Sequence, residues 1–259
     1  MLSVAAVEGL PEVEAGADLA ALIAARVPES RLGAFADGDV LVVAHKAVSK
    51  AEGRVRRLAD VVPSERAVAL AREQGGKDPR HVQVVLDETR ELLRAERGVL
   101  ICVTHHGFVC ANAGVDASNS PGGEADTVIL LPEDPDASAR ALRARLRELT
   151  GARVGVVVTD SFGRAWRHGQ ADVAIGVAGV APLEDWRGRS DSVGRELRAT
   201  WIAIADELAA AADLARGKDS REPAVVVRGL AGRHMLDDDD DDGPGAQALL
   251  RPAEEDLFR

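Results

Sequence analysis

The most distinctive chemical pattern in the sequence is Asp160 followed by Ser161, directly after the apolar run VGVVVT at 154–159. The run has the length and the β-branched content of a buried strand. A carboxylate and a hydroxyl at the end of such a strand offer the oxygen ligands that Mg²⁺ and Mn²⁺ prefer. In the alternative interpretation Asp160 only caps a turn after the strand, and this pattern alone favours neither.

A second pair of polar side chains, Asp116 and Asn119, lies in the segment NAGVDASN at 112–119. The segment follows VLICVTHHGFVC, which predicts two strands joined by a turn at His106 and Gly107. Aspartates that follow separate strands could share one or two metal ions, and metal pairs about 3.5–4 Å apart commonly bridge phosphates. Taken alone, the spacing is a weak motif.

Positive charge that suits a triphosphate follows the run DVLVVA, in the segment HKAVSK at 45–50. Lys46 and Lys50 at the end of a strand could neutralise phosphate oxygens while a metal bridges others. The competing interpretation is that the lysines are solvated surface residues and that His45 is a surface or packed imidazole.

Arg164 and Arg167 stand on either side of Trp166 in the segment SFGRAWRHGQ. Two guanidinium groups and an indole between glycines suit a loop that grips an anionic or planar ligand. The alternative is an ordinary arginine-rich loop with its tryptophan packed inside.

Several common catalytic and binding signatures are absent from the sequence. Without GxxxxGK[ST], nucleotide binding would not use a P-loop, and without GxGxxG after a strand a Rossmann dinucleotide site is not expected. There is also no GxSxG elbow and no CxxC or HExxH zinc signature.

Strands and helices are interspersed irregularly around these residues, which predicts a mixed α and β class but not a regular doubly wound sheet. Asp18 predicts the N-cap of a helix that ends before Pro28, and a second helix begins at Pro135 and is ended by Gly151. Further helices are predicted near 86–97 and over 195–216, and further strands over 39–44, 127–131 and 224–227.

The composition excludes several classes of function. The chain has 259 residues, a net charge of −11 and no basic stripe, so a nucleic acid is not an expected partner. No stretch has the length and apolarity of a membrane span, and the first residues lack the basic region of a signal peptide, so we expect a cytoplasmic protein. Cys102 and Cys110 are interpreted as small buried apolar residues of a reduced protein.

The composition changes from residue 232 onward, where six aspartates at 237–242 are followed by Gly-Pro-Gly. A block of like charges is typical of a solvated linker. A cation-binding acidic tail is the weaker alternative, because nothing in the sequence fixes its geometry.

Six segments form one larger pattern: LPEV, VVAHKAVSKAEG, CANAGVDASN, VVVTDSFGRAWRHGQADVAIGVAG, RGRSDSVGRELRAT and PAVVVRGL. Together they resemble the coenzyme F420-0:gamma-glutamyl ligase family, from about residue 7 to residue 231. The resemblance implies a ligase domain over 1–231 and an acidic linker-like tail over 232–259. It also implies an α+β fold with mixed and antiparallel sheets, flanking helices and an intertwined homodimer, with the site in a groove near the interface.

The resemblance implies an amide-forming reaction in two steps. GTP phosphorylates the terminal carboxylate of coenzyme F420-0, and the amine of L-glutamate then displaces phosphate from the acyl-phosphate. Further glutamates join through gamma-linkages. Mg²⁺ or Mn²⁺ is the implied metal, and K⁺ is a candidate monovalent ion.

The resemblance also implies roles for particular residues. Asp116, Asp160 and Ser161 would hold the divalent ions. The GTP site would be lined by Leu10, Pro11, Glu12, Val13, His45, Lys46, Lys50 and Asn119. Arg164 and Arg167 are our own candidates for gripping a substrate phosphate or carboxylate.

One residue departs from the family pattern. Where many members carry a glutamine next to the metal, this sequence has Lys218. A charged ammonium group has no lone pair to donate, so Lys218 is left out of the metal set.

Two other functions use the same residues. A metal-dependent nucleotide phosphohydrolase needs the aspartates but no acceptor, and a non-catalytic module would bind a deazaflavin or nucleotide for a partner. In some actinobacterial members the ligase is fused to a flavin-binding reductase domain, and the acidic tail resembles the linker that leads into it.

Overall fold

A computed structural model of the chain describes residues 1–117, 126–217, 219–236 and 242–256. The strands are β1 Ser3–Ala6, β2 Val40–Ala44, β3 Val55–Arg57, β4 Thr89–Glu96, β5 Val99–Thr104, β6 Val109–Ala111, β7 Thr127–Ile129, β8 Gly155–Arg164, β9 Arg167–Ala178, β10 Glu184–Asp185, β11 Trp201–Ile202 and β12 Ala224–Arg228. The α-helices are α1 Leu19–Arg26, α2 His45–Ala51, α3 Glu65–Glu73, α4 Pro79–Asp87, α5 Pro135–Thr150 and α6 Ile204–Asp213. No helix in these ranges has the length and apolarity needed to cross a bilayer.

A five-stranded sheet in the order β1-β12-β2-β8-β9 forms the centre of the protein. β2 and β8 are parallel, and every other pair of neighbours in this sheet is antiparallel. The valine-rich strands β2 and β12, and β8 over residues 155–159, are buried on both faces, so their apolar residues are continuous and do not alternate with polar ones. The register pairs Ala44, the last residue of β2, with Thr159 in the middle of β8, so β8 continues beyond the end of β2 as a hairpin with β9.

Helices cover both faces of the central sheet. On one face α1, α2 and α5 pack against a core that includes Val156 and Val158 of β8. On the other face α6 packs against a core that includes Val157. Successive side chains of a strand point to opposite faces, so consecutive residues of β8 enter different environments.

A smaller layer lies beside this sheet. The three-stranded antiparallel sheet β4-β5-β6 packs its buried side chains against α3 and α4. Cys102 and Cys110 are opposite each other in the register of β5 and β6, and both are buried free thiols. The interpretation of the cysteines as buried apolar residues is therefore confirmed.

The expected α+β class is confirmed, as are several local predictions. Asp18 caps α1, since its Oδ1 accepts a hydrogen bond from the backbone N of Ala21 at 3.0 Å. Pro135 is the first residue of α5, and Gly151 ends that helix in the left-handed conformation with φ of 74°.

Two predicted helices are wrong in type or in length. Residues 86–97 hold the end of α4 and then β4, because pairing with β5 overrides the helical preference of the Glu, Leu and Arg residues there. The helix predicted over 195–216 is confined to Ile204–Asp213. The residues before it fold back into β11 and pair with β10, where the Arg187 guanidinium lies 4.2 Å from the Trp201 ring centroid.

Part of the segment assigned to the acidic tail packs on the domain. Ala246 is fully buried, and its backbone N donates to Oδ1 of Asp136 at 2.7 Å. The same oxygen accepts from the backbone N of Val177 at 2.8 Å, so one buried carboxylate ties this segment to β9. Asp242 pairs with Arg143 of α5 at 2.7 Å. Residues 237–241 lie outside the described ranges.

Candidate active site

The site forms where β2 ends beside the middle of β8. β2 passes directly into α2, so His45 and Lys46 begin the helix at the edge where β8 presents Asp160. Because the two strands are parallel and in register, residues distant in the sequence are brought to the same edge of the sheet. This is the edge at which open α/β sheets commonly bind ligands.

The buried side chain of His45 lies next to the carboxylate of Asp160. Its side chain is 2% exposed, and its Nε2 is 3.2 Å from Oδ1 of Asp160, an ion-pair distance without hydrogen-bond geometry. Nδ1 of His45 is 3.4 Å from Oγ of Ser49, one turn along α2. This burial gives His45 little surface for a ligand and places it to orient Asp160. Its predicted contact with GTP stays a prediction.

Lys46 contacts the other carboxylate. Its Nζ is 2.6 Å from Oδ2 of Asp116, whose side chain is 41% exposed. Asp116 is fixed by two backbone hydrogen bonds with Ile129, at 3.0 and 2.8 Å. The turn before it is left-handed, and at Gly114 an added Cβ would lie 2.7 Å from the side chain of Leu131. Glycine is therefore required there to bring Asp116 to the site.

The predicted GTP segment before α1 also reaches this edge. Lys50 of α2 forms an ion pair with Glu12. Val13 is buried and Leu10 packs partly on the core, while Pro11 and Glu12 are exposed. The side chains of Glu12 and Lys50, which are both predicted to line the GTP site, are thus in contact.

Ser161 points away from Asp160. Its hydroxyl donates to Oδ1 of Asp172 on β9 at 2.6 Å, on the face of the sheet that α6 covers. Thr159 shares this face and donates to Oδ2 of Asp172 at 3.0 Å. Arg216, just after α6, pairs with the same carboxylate. Neither Asp172 nor Arg216 was predicted, because they are 44 residues apart in the sequence and meet only in the folded chain.

The charge of Asp160 also acts on a neighbouring thiol. Burial raises the pKa of Cys110 to about 12, and the Asp160 carboxylate and Cys102 add to this effect. Around Asp116, burial and the charge of Lys77 lower the pKa of His81, while Asp78 and Asp116 oppose that shift. Burial is the largest cause of both shifts, and the charges of Asp160 and Asp116 act on these two neighbours.

The oxygen chemistry at this edge fits a divalent cation that binds together with a phosphate. Asp116 and Asp160 supply carboxylates, and Mg²⁺ is usually held by one or two carboxylates plus phosphate oxygens and water. Within the described ranges no group of three or more His, Cys, Asp or Glu forms a ready-made metal cage. These side chains therefore suit a metal that arrives with a phosphate ligand better than a closed structural site.

Other predicted residues lie elsewhere. Arg164 and Arg167 pair across the tip of the β8–β9 hairpin and are exposed, about 13 Å along the strand from Asp160 at the usual rise per residue. Nη2 of Arg164 donates to the backbone O of His168 at 2.9 Å. Asn119 and Lys218 lie outside the described residues.

Comparison with known proteins gives the family. A sequence profile described as F420-0:Gamma-glutamyl ligase matches residues 9–229. The coenzyme F420:L-glutamate ligase of Methanothermobacter thermautotrophicus is 44% identical over 259 residues, covering 100% of this chain and 99% of that relative. The proteins of the same name from Archaeoglobus fulgidus and Methanopyrus kandleri are 46% and 47% identical, covering 98% and 96% of this chain and 94% of each relative.

These matches define an enzyme of the amide-forming ligase class. The chain belongs to the F420-0:gamma-glutamyl ligase family.

Proposed function

We propose that the chain joins L-glutamate to coenzyme F420-0, and then adds further gamma-linked glutamates, with conversion of GTP to GDP and phosphate. The observation that carries the proposal is the pairing of two consecutive residues with two separate carboxylates. His45 contacts Asp160 and Lys46 contacts Asp116, at the edge where β2 ends beside β8. The family and the names of its relatives support the identity of the acceptor and the amino acid.

In the first step a terminal carboxylate oxygen of the acceptor attacks the γ-phosphorus of GTP, and GDP leaves. The transfer is promoted by positioning and by cations that absorb charge on the phosphate oxygens. Lys46 and Lys50 are the cationic side chains at this edge, and each now neutralises a carboxylate. Each lysine can exchange its carboxylate for a phosphate oxygen with a rotation of its flexible side chain.

In the second step the glutamate amine attacks the carbonyl carbon of the acyl-phosphate. The C–O bond to phosphate breaks, phosphate leaves and the amine gives up a proton. Arg164 and Arg167 are the proposed grip for an anionic group of a substrate, with the geometry of a guanidinium pair on one hairpin.

Asp116 and Asp160 would hold Mg²⁺ or Mn²⁺, and a bound ion would neutralise charge on the transferring phosphoryl group. Ser161 remains a proposed ligand through its hydroxyl, which lies on the face of β8 opposite Asp160 and donates to Asp172. K⁺, a homodimer, a cytoplasmic location and a fused or partner flavin reductase remain parts of the proposal that rest on the family resemblance.

The test is a mass-shift assay. Purified protein is incubated with GTP, Mn²⁺, coenzyme F420-0 and L-glutamate, and the coenzyme is analysed by mass spectrometry. We expect products heavier by whole glutamyl units and GDP release that requires both acceptors. GDP release at one rate with or without the acceptors would instead identify a nucleotide phosphohydrolase. Tight binding without turnover would identify a binding module.

A further inference from the structure

A buried carboxylate that the proposed chemistry does not use lies directly behind Ser161. Asp172 is 2% exposed and stands opposite Ser161 in the register of β8 and β9. Its two oxygens accept the hydroxyl protons of Ser161 and Thr159, at 2.6 and 3.0 Å. A serine hydroxyl that donates its proton in this way presents its oxygen as a lone-pair donor.

Arg216 completes the buried cluster. Its side chain is 9% exposed, it pairs with Asp172, and its Nη2 also donates to Oγ1 of Thr159 at 3.1 Å. A carboxylate taken out of water is costly unless it is paired and hydrogen-bonded, and Arg216 supplies the pairing. Thr159 and Ser161 thus have fixed hydroxyl orientations.

Arg216 also fixes a second segment of the site. Its Nη1 donates to the backbone O of Pro223 at 3.0 Å. The same oxygen accepts from the backbone N of Ala44 at 2.8 Å, one residue before His45. The Arg216 guanidinium therefore connects the segment after α6 to Thr159 of β8 and, through the backbone O of Pro223, to the end of β2.

We propose that Asp172 and Arg216 are a positioning pair for the metal site. Asp172 holds the Ser161 hydroxyl as a metal ligand, and Arg216 holds the segment after α6 against the junction of β2 and α2. The identity of the ligands at this edge rests on the proposed function. Groups that orient metal ligands from behind commonly change metal affinity about 10–100-fold when they are replaced.

The experiment measures Mn²⁺ binding directly. Free Mn²⁺ is followed by electron paramagnetic resonance while it is titrated into the protein with GTP present and both acceptors omitted. For Asp172→Asn we expect the Mn²⁺ dissociation constant to rise about tenfold or more. Arg216→Lys keeps the charge without the fork-shaped set of donors, so a smaller rise is expected.

Asp39→Asn is the matched control. Asp39 is 1% exposed and pairs with Arg228 through two hydrogen bonds of 2.8 and 2.6 Å, just before β2 and away from the site. We expect its Mn²⁺ dissociation constant to stay within about twofold of the wild type. An equal loss of affinity in Asp39→Asn would overturn the proposal, because the effect would then follow from lost stability.

A double substitution tests whether Asp172 acts through Ser161. If it does, Asp172→Asn causes little further loss of Mn²⁺ affinity in a Ser161→Ala protein, since coupled residues are not additive. Fully additive losses, or wild-type affinity in Asp172→Asn, would overturn the proposal. If Asp172→Asn does not fold by circular dichroism, Thr159→Val takes its place, with an expected rise of about two- to fivefold, and wild-type affinity there has the same meaning.

The Mn²⁺ titration and the assay for glutamylated coenzyme test the positioning pair and the proposed function separately. Wild-type protein that binds Mn²⁺ and loses it in Asp172→Asn, but makes no glutamylated coenzyme, supports the positioning pair and removes the substrate assignment. Wild-type protein that binds no Mn²⁺ with GTP overturns the positioning pair as stated.

Discussion

The two ends of the central sheet each contain aspartates, and the partners of these aspartates differ. Before β2, Asp39 accepts two hydrogen bonds from Arg228 and one from the backbone N of Ala36 at 2.9 Å. Arg228 in turn donates to the backbone O of Leu32 and Ala34. Where β2 ends, Asp160 of β8 accepts one hydrogen bond from the backbone N of Ser161 at 2.8 Å and faces a buried imidazole without hydrogen-bond geometry. Nearby Asp116, which is bridged to β7, faces a flexible lysine.

This difference separates a structural ion pair from a candidate binding site. At the amino end, fixed donors from the backbone and from a planar guanidinium surround the carboxylate. At the other end, the side chains that face the carboxylates are an imidazole and a lysine ammonium group, and the flexible lysine can change partner when a ligand arrives. The carboxylate of Asp39 thus stabilises the fold, whereas the carboxylates of Asp160 and Asp116 are candidates for binding a ligand.

Asp160→Asn should give the largest loss of activity. We expect glutamylation to fall at least about 100-fold, since removing a metal ligand forfeits several kcal/mol of transition-state stabilisation. The free energy of unfolding should change by less than about 1 kcal/mol, because an asparagine oxygen can still accept the hydrogen bond from the backbone N of Ser161. The measurements are the mass-shift assay and urea unfolding. Activity within tenfold of the wild type would remove Asp160 from the site.

Asp39→Asn should give the opposite result. Only Asp39 is fully buried, and Arg228 is 32% exposed and keeps its hydrogen bonds to Leu32 and Ala34. We therefore expect a loss of about 2 kcal/mol in the free energy of unfolding. Turnover of the folded protein should stay within about twofold at a temperature well below the unfolding transition. A loss of turnover as large as that of Asp160→Asn would abolish the distinction between the two ends.

Lys46→Ala should have an intermediate effect. Removing one cation from the proposed triphosphate site should raise the GTP concentration at half-maximal rate about tenfold, which corresponds to about 1.4 kcal/mol. Steady-state kinetics with varied GTP measure this change. Arg145→Ala removes an exposed positive charge from α5 and serves as the control, with an expected change below twofold.

The smallest effect concerns the pH dependence of stability. The folded-state pKa of Cys110 is raised from 9.0 to about 12, so the folded protein retains this proton after the unfolded chain has released it. The associated stability is complete below about pH 9 and is lost as the pH rises toward 12. Urea midpoints should therefore fall less steeply with pH in Cys110→Ala than in the wild type.

A substitution without a titrating group controls for lost packing. Val115→Ala removes buried methyl groups in the core cluster that contains Cys102, the cross-strand neighbour of Cys110, and should lower the urea midpoint equally at each pH. Equal slopes in all three proteins would contradict the raised pKa of Cys110.

Much of the central sheet could be predicted from its valine runs, and the helix ends from Asp18, Pro135 and Gly151, because these signals are local. The helix predicted near 86–97 failed because pairing with β5 is a long-range contact. The edge shared by His45 and Asp160 required the parallel register of β2 and β8. Asp172 escaped prediction for the same reason, although a single aspartate inside the apolar run ADVAIGVAG is the sequence signal that could have pointed to it.

The hydrogen bond from the backbone N of Ala246 to Asp136 indicates how much of the chain the domain needs in order to fold. The family profile ends at residue 229, yet a truncation there would deprive a buried carboxylate of a backbone donor and uncover the core beneath α6. A shortened protein intended to fold alone should therefore extend to about residue 250. A partner domain attached downstream would be connected through this packed segment. Its linker would therefore begin next to β9 and not at the aspartate run.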